Sequence, residues 1–166
     1  MKEESLEKEV ASLLVLLNKT VAVAESCTGG LICHRLTNVS GSSDCLEMGV
    51  VTYSNQSKIT LLGVPKGIIQ EHGAVSAACV QAMARGVKEL AGTDLGLAVS
   101  GIAGPTGGSV DKPVGTVHLA LAWNDHVQCW SHLFQGSRGE IKEQASEEGL
   151  MRIRGLCQSL KNGRQD

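Results

Sequence analysis

Glu25-Ser26-Cys27-Thr28-Gly29-Gly30 places a carboxylate, a hydroxyl and a thiol directly in front of a glycine pair. A serine hydroxyl becomes a nucleophile only when a base takes its proton and a nearby group holds the negative charge that develops on the substrate. The preceding Val21 to Ala24 reads as a short buried strand, and the helix-spaced Leu31, Ile32 and Leu36 follow the glycines. Ser26 therefore sits at a strand's carboxyl end, beside amides that a helix start leaves unpaired, and the turn reads as an anion site next to a hydroxyl. An ordinary helix cap with a tight glycine turn fits the same residues equally well.

The base has two kinds of candidate. His34, His72, His118, His126 and His132 fall in helices, turns or strands away from any polar strand-end cluster, so a Ser-His-Asp triad has no positional support. No pair of histidines has zinc-site spacing, and no metal is expected. Lys58 lies in the first turns of a helix expected from Gln56 to Leu62. A lysine accepts a proton only if burial or nearby positive charge lowers its pKa from about 10.4, and a helix start beside an apolar sheet edge supplies both influences. Arg138, at the start of the last helix, can add positive charge and bind an anionic group. Tyr53, the single tyrosine, can orient or relay a proton. Taken singly, Lys58 and Arg138 also read as solvated surface charges. Cys27 is a second possible nucleophile, but neighbours on an extended segment face opposite sides, so only one of Ser26 and Cys27 can face a pocket.

These residues need a scaffold, and the 166-residue chain is long enough to bury a core as one domain over 1–166. A net charge of -2, with one Tyr, one Phe and two Trp, offers neither a basic face nor a stacking platform for nucleic acid. Six scattered cysteines without a C-x-x-C pair, behind a charged Lys2-Glu3-Glu4 start, read as reduced thiols of a cytoplasmic protein. No apolar run suggests a membrane span. An amphipathic helix is expected over 5–18, strands over Met48 to Tyr53 and Leu95 to Val99, and a short helix over Pro65 to Glu71. Ser76 caps a longer helix through Leu90, Val114 to Trp123 and Val127 to Phe134 form a hairpin about Asn124-Asp125, and Ser137 to Glu140 is a capping box. The polar tail over 161–166 is expected to fray. Strands interleaved with helices give an α/β fold, a three-layer α/β/α sandwich around a mixed sheet of about five strands. Ser26, Tyr53, Lys58 and the Ser100 to Gly108 loop all follow strand ends, and such loops converge on one edge of the sheet.

Several blocks in register resemble one family. Glu25 to Gly30, Gly41-Ser42-Ser43, Val51-Thr52-Tyr53-Ser54-Asn55 with Lys58, Gly73-Ala74-Val75-Ser76, Ser100-Gly101-Ile102-Ala103-Gly104-Pro105 and Lys112 to Thr116 are similar to the CinA C-terminal domain family. The resemblance runs from Val21 to the last helix. Active members of that family are nicotinamide-nucleotide amidases, which convert nicotinamide mononucleotide to nicotinate mononucleotide and ammonia in pyridine nucleotide salvage. It implies Ser26 as nucleophile, Lys58 as base, Tyr53 as an orienting or relay residue and Arg138 as a substrate-binding charge. Thr28, Gly29 and Gly30, with the amides of Ser26 to Gly30, would hold the oxyanion, and Ser100, Gly104, Thr106 and Gly107 would shape the nucleotide pocket. It implies no cofactor, a small nucleotide substrate and a homodimer or larger homo-oligomer. Asp44-Cys45-Leu46 stands where the family commonly has an aromatic pair, which predicts reduced stacking surface for a pyridine ring. A non-catalytic nucleotide-binding paralogue and a serine amidase for another small carboxamide are the alternatives.

Overall fold

The computed structural model describes residues 5–163. Its sheet has the order β2-β1-β3-β4-β5. The strands are β1 (Val21–Glu25), β2 (Leu46–Val51), β3 (Leu95–Gly101), β4 (Thr116–Trp123) and β5 (His126–Leu133). The first three are parallel, β4 is antiparallel to β3, and β5 is antiparallel to β4. Helices α1 (Leu6–Leu16), α2 (Leu31–Thr37) and α6 (Arg138–Lys161) cover one face, while α3 (Asn55–Leu62), α4 (Lys66–His72) and α5 (Ala77–Ala91) lie on the other.

A large–small alternation along the strands decides how close each layer sits. Val21, Val23, Leu97, Val99, Leu119 and Leu121 enter the core shared with α1, α2 and α6. Ala22, Ala24, Ala98, Ala120 and Ala122 face α5, where they meet Val80, Met83, Ala84 and Val87. Small residues on that face let α5 approach closely: a Cβ on Gly96 would stand 2.2 Å from the Ala84 carbonyl oxygen.

The chain leaves β1 for α2 on one face and β2 for α3 on the other. That divergence opens a crevice at the carboxyl ends of β1 and β2, where ligands bind in open α/β sheets. Several expected boundaries shift. The second strand ends at Val51 rather than Tyr53, because the Thr52 and Tyr53 carbonyls turn out of the ladder to accept hydrogen bonds from Lys58. The last helix continues to Lys161, so the expected fraying can apply only beyond it, and 164–166 lie outside the described residues, as does the charged start over 1–4. No helix among the described residues is long and apolar enough to cross a membrane, and all six cysteines are free.

Candidate active site

Ser54 caps α3 by accepting the Ser57 amide at 3.0 Å, which starts the helix in time to turn Lys58 inward. The Lys58 side chain is 1% exposed. Its Nζ lies 3.1 Å from Ser26 Oγ, 2.7 Å from the Thr52 carbonyl and 3.2 Å from the Tyr53 carbonyl. An ammonium donates to all three. A neutral amine has two N–H groups, and carbonyls can only accept, so Thr52 and Tyr53 take both donors. The remaining lone pair then faces the Ser26 hydroxyl, the arrangement a general base requires.

Burial, opposed only by weaker contributions from Cys79 and Cys27, pulls the Lys58 pKa below its ordinary value. Among the described residues, no carboxylate hydrogen-bonds or ion-pairs with the amine to restore the charged form. Burial also acts on Cys27, and with the Glu25 charge it pushes the thiol up to about 12. The thiol therefore stays protonated near neutrality and is a poor nucleophile. Ser26, not Cys27, is the group aligned with a base.

The cleft at this point has a volume of about 270 Å³ and is lined by Ser26, Cys27, Tyr53, Asn55, Lys58, Ala74, Val75, the Ser100 to Gly104 segment, Thr106, Gly107 and Arg138. Grooves of about 530 and 600 Å³ along α6 are larger, but neither holds a serine in hydrogen-bond contact with a lysine or histidine. Arg138 donates from Nη1 to the Gly104 carbonyl at 2.7 Å and from Nη2 to Tyr53 Oη at 3.1 Å. It ties the mouth of the cleft together. Tyr53 thus serves the dyad through its carbonyl, while its hydroxyl belongs to Arg138 and its ring is the only aromatic surface on the cleft wall among the described residues. Ser100 Oγ donates to the Ala74 carbonyl at 2.9 Å, joining β3 to the loop before α5. None of the five histidines lines the cleft.

The glycine turn differs from its sequence reading. Thr28, Gly29 and Gly30 do not line the cleft, and Thr28 is fully buried. The amides at the start of α2 are already occupied by Glu25, whose carboxylate is itself fully buried. Its Oε2 accepts from Thr28 Oγ1 at 2.5 Å, Gly30 N at 3.0 Å and Ile32 N at 3.2 Å, and its Oε1 accepts from Cys33 N at 2.9 Å. The anion expected at this turn is a side chain of the protein. Ser26 N donates to Val99 and Gly29 N to Ser26. Among the described residues, the amides of Cys27 and Thr28 alone in the Ser26 to Gly30 turn donate to no protein acceptor. The signal was an acidic residue closing an apolar strand one position before the serine. Asn55, Ala74 and Val75 were also missed as cleft residues; they carry no reactive group that a sequence pattern would single out.

The Asp44-Cys45-Leu46 departure lies elsewhere. The Cys45 carbonyl accepts the Val21 amide at 2.8 Å, and Leu46 pairs with Val21. This segment stands at the start of β1, the end of the sheet opposite Ser26, and Cys45 is buried in the core. It takes no stacking surface from this cleft.

A family model for the CinA C-terminal domain matches residues 3–157. A CinA-like protein of Syntrophus aciditrophicus is 54% identical over 153 residues, covering 92% of this chain and 36% of the relative. Another, of Geobacter sulfurreducens, is 53% identical over 140 residues, covering 84% of this chain and 34% of that protein. The chain thus spans about a third of the length of these curated relatives. Among solved structures, a CinA superfamily protein of Klebsiella pneumoniae superposes with a TM-score of 0.89 at 34% identity, covering 92% of this chain and 95% of that one. The competence/damage inducible protein of Agrobacterium tumefaciens gives 0.80 at 36% identity, covering 98% of each chain.

Proposed function

We propose that this chain, which belongs to the CinA C-terminal domain family, is a serine amidohydrolase that converts nicotinamide mononucleotide to nicotinate mononucleotide and ammonia. The observation that carries the reaction type is the 3.1 Å approach of the buried Lys58 amine to Ser26 Oγ. The family resemblance is what supports the choice of substrate.

In this reading Ser26 Oγ attacks the carboxamide carbon as its proton passes to Lys58 Nζ. The carbonyl oxygen gains the negative charge and is held by the Cys27 amide, which lines the cleft and donates to no protein acceptor, in place of the wider Ser26 to Gly30 set. Each such donor is worth about 3 kcal/mol where it has been measured. When the tetrahedral adduct collapses, the C–N bond breaks and Lys58 returns the proton to the departing nitrogen, releasing ammonia and leaving an ester on Ser26. Lys58 then takes a proton from water, hydroxide adds to the ester carbon, and the nicotinate nucleotide leaves as Ser26 recovers its hydrogen. Tyr53 offers the pyridine ring an apolar face, and the Arg138 guanidinium, with the Thr106 and Gly107 segment, supplies donors for the phosphate end.

Ammonia release from nicotinamide mononucleotide by the purified chain tests this. Ser26→Ala and Lys58→Ala are each expected to lower turnover at least about 1,000-fold with the fold retained. Wild-type activity in the serine variant contradicts the mechanism. Faster release from another carboxamide in the same assay replaces the substrate and keeps the chemistry.

A further inference from the structure

We propose that Glu25 is the positioning residue of this site: its buried carboxylate holds the turn that aims Ser26 and keeps the Cys27 amide free for the substrate. The inference rests on the serine amidohydrolase reading and adds a residue that touches neither substrate nor base.

Two chains of contacts meet at Glu25. Through its side chain it collects Thr28 Oγ1 and the amides of Gly30, Ile32 and Cys33, every bond between 2.5 and 3.2 Å. These donors bracket the turn that also closes on Ser26 through the Gly29 amide. Through its backbone carbonyl, Glu25 accepts the Thr52 amide at 2.9 Å, and the Thr52 carbonyl in turn accepts from Lys58 Nζ at 2.7 Å. One residue therefore sets the nucleophile's turn on one side and the base's anchor on the other. A fully buried carboxylate without these donors would be costly. With them, the negative charge is spent inside the turn, and the three helix-start amides are fixed where they cannot reorganise during the reaction.

Glu25→Gln tests this because it preserves size and leaves one oxygen for the Oε2 donors, but it sets an NH2 against the Cys33 amide. Two quantities are compared with wild type: the rate at which a fluorophosphonate acylates Ser26, and kcat and KM for nicotinamide mononucleotide, both per titrated active site. Displacement of the turn is expected to slow acylation and kcat together by about 10- to 100-fold while KM stays within about twofold. The pH midpoint set by Lys58 should not move. A general loss of folded protein lowers the number of titrated sites and leaves the rate per site unchanged. Acylation and kcat per site within about twofold of wild type overturn the proposal. Should the glutamine variant fail to fold, Thr28→Val removes one donor to the same carboxylate. It is expected to slow acylation by about 3- to 10-fold, and a wild-type rate overturns the proposal. If wild type is acylated but releases no ammonia from the nucleotide, the substrate reading fails and the acylation rates alone decide the role of Glu25. A wild type that shows neither overturns both.

Discussion

Lys58 places its amine beneath Ser26 among carbonyls and a hydroxyl, and burial lowers its pKa, which makes the neutral base more accessible than it is for a solvated lysine. kcat/KM should therefore rise with pH through a midpoint below the ordinary lysine value of 10.5, a limb that Lys58→Arg cannot restore because a guanidinium stays charged. The same shift acts on stability. With the folded-state value lowered, the unfolded chain binds more protons between that value and 10.5, so stability rises with pH across this window and is lost as pH falls through it. The difference between wild-type and Lys58→Met melting curves taken over pH should show that slope. Cys27→Ala should keep turnover within about threefold, since the thiol is protonated packing rather than nucleophile; a loss beyond about 100-fold would reinstate the thiol. Ser26 and Lys58 were legible because reactive residue types at strand ends carry their own signal. Glu25 was not, because its role depends on which amides the α2 start turns toward it. Nor was the Arg138 clamp, which joins residues 34 and 85 positions apart along the chain.

At the scale of elements, Val21 to Ala24 and Leu95 to Val99 read only as buried strands in the sequence, and the structure shows that their large–small alternation sets the layering. Large residues meet α1, α2 and α6, and small ones let α5 press against the sheet. Gly96→Ala should cost about 1–3 kcal/mol, because the new methyl meets the Ala84 carbonyl and the Lys88 side chain in a close-packed seam. Gly67→Ala in α4 meets open space, and the same methyl there should stabilise the protein by about 0.5–1 kcal/mol through helix propensity. Denaturant unfolding of the two variants separates packing from propensity, and similar changes in both would contradict this view of the seam. Helix starts marked by Ser76 and Ser137 were readable because capping is local. The end of β2 was not, because Thr52 and Tyr53 leave the ladder for a lysine that follows them.

Across the whole molecule, strand order β2-β1-β3 brings the carboxyl ends of three parallel strands to one edge, and every group assigned to the chemistry comes from this chain. Sequence periodicity supplied the strands and one local turn the β4–β5 hairpin, but neither supplied the other neighbours, since their pairing is a long-range property. The curated relatives extend well beyond the matched region, yet the cleft needs nothing from outside the described residues to bring Ser26 and Lys58 together. The measurement closest to the central claim is intact-mass analysis of the purified chain, quenched in acid during turnover of nicotinamide mononucleotide. The account predicts a nicotinate-nucleotide ester localised to Ser26 by peptide mapping and absent from Ser26→Ala. Steady ammonia release with no ester on Ser26, or with the adduct on Cys27, would contradict it.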